Sequence, residues 1–252
     1  MRYRKGVIEK NIEYCFPELD QKERDQIRDK FYKHFSDVLL ESIKGLTYDP
    51  HKLTQRLKFT NPEILIEEFD TGNPVTLLSQ HHNNWEWGCI CFGLQTKHSI
   101  IAIPKELSNP YMDKYINSRR SGNNLKTVYA NKLSSYYKKG DHHNNAIVVI
   151  VDQFPFIQKR AYSLDFFGKE SLFHNGVAIL ACRSGYPVYS FDIRKKARSV
   201  YEVRCDLIHK DPSSITPLQL TELYKVHLEN LIKEAPEFWL WSHRRFKNSI
   251  DY

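Results

Sequence analysis

The run Ala146-Ile147-Val148-Val149-Ile150-Val151 constrains this chain more than any other segment. It is short, continuous and mostly β-branched, so both faces of the strand it forms must be covered. A strand of that kind needs partners on either edge and layers above and below. An all-helical bundle or a one-sided hairpin sheet cannot supply them.

The neighbouring segments alternate accordingly. Residues 74–79 read as a buried strand, 85–94 as a helix and 99–103 as a strand. A helix over 109–120 opens at Asn109-Pro110, with Pro at the first helical position. Residues 130–139 read as a helix, 175–183 as another, and 187–193 and 200–207 as strands. In the last of these Tyr201, Val203, Cys205 and Leu207 alternate with charged residues, so one face is wet. The polar stretch 194–198 between the last two strands predicts an antiparallel hairpin. Thr216-Pro217-Leu218-Gln219 is a capping box that opens a helix to about residue 234, with Leu220, Tyr224, Leu228 and Leu231 as its apolar stripe. Ahead of all this, residues 20–46 predict a long amphipathic helix whose stripe is Ile27, Phe31, Phe35, Val38, Leu39 and Ile43. The expected fold is α/β, a mixed central sheet flanked by helices behind an N-terminal amphipathic helix. One domain is expected over 1–252, with a helical part at 1–48 and a catalytic core at 74–247.

Composition narrows the function classes. Hydrophobic residues make up 41% and mean hydropathy is −0.56, and no stretch reaches the length of a membrane span. The basic first eleven residues lack the apolar centre of a secretory signal. A net charge of +7 favours anionic partners: a membrane surface, an acidic carrier protein, a phosphorylated substrate or nucleic acid. The five cysteines include no CxxC pair and read as reduced, packed thiols.

The chemistry concentrates in Ser79-Gln80-His81-His82-Asn83-Asn84-Trp85-Glu86-Trp87-Gly88. A strand ends, a polar turn follows and a helix begins, which is where α/β folds hold reacting groups. A neutral His81 is suited to take a proton from an attacking hydroxyl. Glu86, five residues on, is expected on the other ring nitrogen to fix the tautomer. His82 is expected to point away. Asn83 and Asn84 serve the turn, with Asn84 a candidate positioning group. Arg119 and Arg120 either complement a helix end or stabilise an oxyanion or lipid phosphate. Asp152 either caps a turn or positions substrate or His243. Trp239, Trp241, Arg244, Arg245 and Lys247 mix rings with cations, as a lipid headgroup contact would. Single-stranded nucleic acid is disfavoured because no nucleic-acid motif accompanies them. No metal site is expected, since Asp141-His142-His143 lacks ligand spacing. No GxSxG elbow occurs, which favours direct attack over an acyl-enzyme.

His81-His82-Asn83-Asn84-Trp85-Glu86 resembles the motif of the late lipid A biosynthesis acyltransferases, the lauroyl/myristoyl family. Asn109-Pro110 with Arg119, Arg120 and Gly122 follows in that family's order. So do Asp152-Gln153-Phe154-Pro155, Phe166-Phe167-Gly168 and the block 235–247 containing Trp241-Ser242-His243-Arg244-Arg245-Phe246-Lys247. The resemblance implies a glycerol-phosphate-acyltransferase-like fold with His81 and Glu86 catalytic. Asn84, Arg119, Arg120, Asp152 and Gln153 would bind substrate or the oxyanion. Trp241, His243, Arg244, Arg245 and Lys247 would meet the headgroup or membrane.

It also implies an acyl-carrier-protein or CoA thioester as donor with no further cofactor. The acceptor would be a hydroxyl of an anionic lipid A precursor, and the location the cytoplasmic face of a bacterial inner membrane, held peripherally. Two rivals keep the resemblance: transfer to another lipid, such as an amino-acid lipid or glycolipid, or a non-catalytic lipid-binding relative. Family members begin with a hydrophobic anchor, whereas this sequence begins at the basic stretch. Lys105 stands where many relatives carry Arg.

Overall fold

The computed structural model describes residues 3–120, 124–139, 142–155 and 157–252, apart from the side chain of Arg119. Two helices come first, α1 (Lys5–Cys15) and α2 (Gln21–Gly45), followed by the single turn α3 (Pro50–Leu53), the edge strand β1 (Leu57–Phe59) and α4 (Ile66–Asp70). Then β2 (Val75–Ser79), α5 (Trp85–Gly93), β3 (Ser99–Ala102), α6 (Pro110–Arg120), β4 (Leu125–Thr127), α7 (Leu133–Lys138) and β5 (Asn145–Ile150) alternate. A two-stranded ribbon, β6 (Ala161–Phe166) and β7 (Lys169–His174), precedes α8 (Gly176–Ser184). The chain ends through β8 (Val188–Ala197), β9 (Val200–Arg204), β10 (Leu207–His209) and α9 (Pro217–Glu234).

The main sheet runs β1-β9-β8-β2-β5-β3-β4, with β10 alongside β8. It is mixed: β8, β2, β5, β3 and β4 are parallel neighbours, while β8 pairs antiparallel with β9 and β10. β5 lies near the middle, as its composition requires. Ile147 and Val149 join the cluster under α1, α2, α8 and α9, and Ala146 and Val148 join the one under α5. Alternation along one strand therefore feeds two separate cores.

Two local differences from the sequence reading have plain causes. The hairpin expected around 194–198 is present, but β8 continues through Lys195 and Lys196 and turns only at Arg198-Ser199, where Ser199 has φ 56. The predicted strand 200–207 breaks at Cys205-Asp206, where Asp206 is held by Ser190: Ser190 N donates to Asp206 O at 2.8 Å and Asp206 N to the Ser190 hydroxyl at 3.1 Å, and the chain then restarts as β10.

The front of α2 agrees with its predicted stripe, since Phe31 and Val38 are buried and Ile27 and Phe35 pack on the core. Its end does not. Leu39 and Ile43 are exposed, and Asp37 and Glu41 take the inward positions. Glu41 accepts from Asn84, Ser199 and Tyr201, and Asp37 from Arg198, so hydrogen bonds outweigh hydrophobicity in setting that face.

Candidate active site

Register creates the site. β2 and β5 are parallel, with Ser79 opposite Ile150, and Val151 N donates to Ser79 O at 3.1 Å. Two residues beyond that pair, at the carboxyl ends of both strands, stand His81 and Asp152. The buried Tyr224 of α9 donates to Ser79 O at 2.9 Å and fixes the end of β2.

Asp152 is buried and accepts three hydrogen bonds. Its Oδ1 lies 2.7 Å from His81 Nδ1, and its Oδ2 accepts from His81 N at 2.9 Å and from the Trp239 indole at 2.8 Å. Burial alone would raise its pKa. The His81 ring beside it and these three donors win, holding the carboxyl down at about 2. An ionised Asp152 can only accept, so His81 Nδ1 carries a proton, and in the neutral imidazole the lone pair is then on Nε2. The Gln153 amide nitrogen lies 3.3 Å from that Nε2. The imidazole is partly exposed and meets the Trp85 ring edge-on at 5.0 Å.

The carboxylate on His81 is therefore Asp152, and the expected His81–Glu86 pairing is corrected. Glu86 sits in the first turn of α5 and turns to Arg120, whose Nη2 donates to both carboxylate oxygens at 2.7 Å. A rigid guanidinium fork at the end of α6 matches that carboxylate, whereas the strand-end imidazole is already satisfied by its neighbour on β5. Arg120 thus joins the site rim through Glu86. The side chain of Arg119, together with Gly122 of the same motif, lies outside the described residues.

Asn84 was expected to touch substrate, and its burial corrects that. Its Oδ1 accepts from Trp87 N at 3.0 Å, capping α5, and its Nδ2 donates to Glu41 at 2.8 Å. Both polar ends are spent inside the fold. Asn83 holds the tight turn at φ 58 and donates to Ile193 O at 2.8 Å. His82 faces away from His81, with its ring near Ala235 O and Ile193 O. Burial lowers its pKa, so it stays neutral.

The carboxy-terminal block is a wall of the site. Asn83 N donates to Phe238 O, and Leu240 N to His81 O, both at 3.0 Å, laying residues 238–240 antiparallel along the turn. Asn11 of α1 clamps this segment by donating to Trp241 O and His243 O at 2.7 Å. Trp241 and Arg245, expected at a headgroup or membrane, are both buried. The Trp241 indole donates to Pro236 O. The Arg245 guanidinium lies over the rings of Phe166, Phe173 and Phe246, at 4.5 Å from the centroid of Phe173. Rings mixed with cations suit an interior cation–π cage as well as an interface, and composition alone does not distinguish them. His243 Nε2 accepts from Phe154 N at 3.2 Å. Arg244 and Lys247 are exposed, the latter over the Phe154 ring.

Trp239 is the functional neighbour that the sequence reading left among generic aromatic residues. Its place in Trp239-Leu240-Trp241 does not reveal which ring reaches the aspartate. In the polar run near residue 142, Asp141 lies outside the described residues, and His142 is buried against Tyr136 and Tyr186.

An open groove of about 240 Å³ adjoins the reaction centre. Phe35, Val38 and Leu39 of α2 line it together with Trp85, Leu240 and His243. Trp85 is shared between the groove and the His81 ring. Nearby thiols are poor nucleophiles: burial pushes both Cys89 and Cys91 up to about 12.

Comparison with known proteins bears on the chemistry. The family model for bacterial lipid A biosynthesis acyltransferases matches residues 1–248. The lipid A biosynthesis lauroyltransferase of Escherichia coli (strain K12) is 23% identical over 256 residues, covering 98% of this chain and 80% of that protein.

Proposed function

The chain belongs to the bacterial lipid A biosynthesis acyltransferase family and is an acyltransferase. On that premise we propose that His81 is its general base, with Asp152 as the orienting carboxylate. The proposed reaction moves a fatty acyl chain from an acyl-carrier-protein or CoA thioester to a hydroxyl of a lipid A precursor. The protein would act peripherally at the cytoplasmic face of the inner membrane. Among the described residues no helix is long and apolar enough to cross a membrane.

The 2.7 Å contact between Asp152 and His81 Nδ1 carries the reading. It directs the basic lone pair of Nε2 outward. As the acceptor oxygen bonds to the thioester carbonyl carbon, Nε2 takes the hydroxyl proton and Asp152 stabilises the imidazolium. When the carbon–sulfur bond breaks, the imidazolium returns that proton to the departing thiolate. Gln153 is placed to donate to the developing oxyanion once substrate displaces its amide from Nε2. Direct attack fits the depressed nucleophilicity of Cys89 and Cys91. The open groove beside Trp85, lined in large part by apolar side chains, is the candidate seat of the acyl chain.

The test is acyl transfer from labelled acyl-carrier protein to a lipid A precursor by wild type, His81→Ala, Asp152→Asn and Glu86→Gln. Loss of the base is expected to cost about two to four orders of magnitude, and Asp152→Asn at least about a hundredfold. Glu86→Gln is expected to cost about tenfold or less, because Glu86 acts through Arg120. If Glu86→Gln fell as far as His81→Ala while Asp152→Asn stayed active, the His81–Asp152 pairing would not be the catalytic one.

A further inference from the structure

The helix α6 is inside out. Asp113, Asn117 and Arg120 recur at spacings of four and three, so they share one face, and that face turns inward. Asp113 accepts from Leu107 N at 2.9 Å, from Asn117 at 3.0 Å and from the Tyr129 hydroxyl, while Arg120 grips Glu86. The opposite face carries Tyr111, Met112 and Tyr115, exposed by 85%, 48% and 46%, with Leu107 beside them in the preceding loop at 44%. Four large apolar side chains within nine residues are directed to solvent, while the polar Asp113 is buried and Asn117 and Arg120 are half-buried. A helix that only packed on this core would have the reverse arrangement.

The charge is just as concentrated. Residues 103–139 hold eight lysines and arginines against two carboxylates, a surplus of six out of the whole chain's +7. One of those carboxylates is the buried Asp113. Lys114, Lys126, Lys132, Lys138 and Lys139 are all exposed.

We propose that the outer face of α6, with Lys114 on the helix and Lys126 and Lys132 on the segments packed beside it, docks on an anionic lipid surface. Tyrosine, methionine and leucine side chains would enter the headgroup boundary, and the lysines would meet phosphates. An acidic protein would satisfy the lysines but would give the exposed rings and the thioether no apolar phase. A lipid interface takes both. The consequence for the site follows from the Glu86–Arg120 fork, which ties the end of α6 to the first turn of α5. Docking α6 would hold the mouth beside His81 against the layer that carries a lipid substrate. Only this last step rests on the acyltransferase reading; the surface chemistry stands without it.

Co-sedimentation with vesicles tests the proposal. The full chain is mixed with vesicles of phosphatidylcholine alone and of phosphatidylcholine with phosphatidylglycerol. Binding is expected to the second and to weaken as salt rises. Tyr111→Ser, Met112→Ser and Tyr115→Ser combined should cut binding at least tenfold with little change in the thermal melt, because none of these side chains belongs to either buried core cluster. Lys114→Gln and Lys126→Gln should each cost about fivefold.

His81→Ala should bind like wild type, which separates docking from chemistry. A second apolar group, Leu40 and Ile43 on α2, provides the comparison. Loss of binding in Leu40→Ser with Ile43→Ser, together with retention in the α6 variants, would overturn the proposal. So would equal binding to both vesicle types. So too would α6 variants that bind vesicles normally but lose binding to an acyl carrier protein.

Discussion

At the scale of single residues, the candidate site turns on which carboxylate reaches His81. Linear spacing favoured Glu86, because a turn can fold five residues back. Asp152 lies far away in sequence, and only the parallel register of β2 and β5 sets it at Nδ1. His81 itself was legible from its strand-end context, and the outward turn of His82 from alternation. Trp239 was not, since nothing in a run of aromatic residues says which ring donates to a buried aspartate. Arg245 is the other residue whose setting surprises. It is buried, and its three guanidinium nitrogens have no hydrogen-bond partner among the described protein atoms. Burial lowers its pKa to about 10, with Asp152 pulling the other way. Stacking over three rings offsets part of the cost of a desolvated cation. An apolar side chain of similar length should therefore be tolerated. Arg245→Met is expected to change unfolding free energy by less than about 1.5 kcal/mol, whereas Arg245→Ala leaves a cavity among Phe166, Phe173 and Phe246 and costs about 3 kcal/mol or more. Urea unfolding of the two variants measures both. Equally large losses in Met and Ala would mean that the charge, and not the packing, holds this corner.

At the scale of elements, the periodicity of α2 located the helix and its stripe from Ile27 to Val38 but misplaced Leu39 and Ile43. A hydrophobic stripe is a reliable guide only while its apolar residues face apolar partners. Opposite the end of α2 the fold presents the Asn84 amide, the Tyr201 hydroxyl and the Ser199 hydroxyl, and Glu41 answers all three. Leu40 and Ile43 are then turned outward. The ribbon β6–β7 was missed for a related reason. Its turn rests on Phe167 at φ 57 and Gly168 at φ 73, a pair of left-handed residues that an aromatic-glycine dipeptide does not advertise as Asn-Gly does. The α2 geometry predicts opposite behaviour for neighbouring substitutions. Glu41→Ala strands the buried Asn84 and Tyr201 donors and the half-buried Ser199 hydroxyl and is expected to cost about 3–5 kcal/mol in chemical denaturation, and to loosen the Asn84 cap that starts α5. Leu40→Ser, one position away, should stay within about 0.5 kcal/mol. Equal costs at the two positions would show that α2 is held by hydrophobic contact after all.

At the scale of the whole molecule, the α/β architecture was readable because one strand demanded cover on both faces. Strand order was not, since neither composition nor spacing says that β8 crosses over to lie beside β2. That folding also buries several histidines, and their sum gives a pH dependence. Burial, reinforced by Lys195, lowers His34 from 6.5 to about 3, and burial lowers His243 to about 4 against the pull of Asp152. Burial lowers His82, His98 and His174 as well. Below 6.5 the unfolded chain binds protons at these positions before the folded one does, so stability falls as pH drops from about 6.5 towards 4.

Asp152 does not act in this window. Its folded pKa near 2 lies below its ordinary 3.8, so its contribution is intact above 3.8 and is lost as pH falls from there towards 2. His227 works in the opposite sense. Burial disfavours its charged form, but its partner Asp192 raises its pKa overall, adding stability that is fully present below 6.5 and lost as pH rises. One such group offsets only part of the deficit from the others. Each strongly depressed histidine is worth about 1–2 kcal/mol at pH 5. The thermal midpoint should therefore drop clearly between pH 7 and pH 5, and His34→Gln should flatten that drop, because it removes a histidine held down at about 3 without adding a charge. A midpoint that held steady to pH 5 in the wild type would mean that these histidines gain protons without loss of structure, and would place water around rings that the fold shows packed.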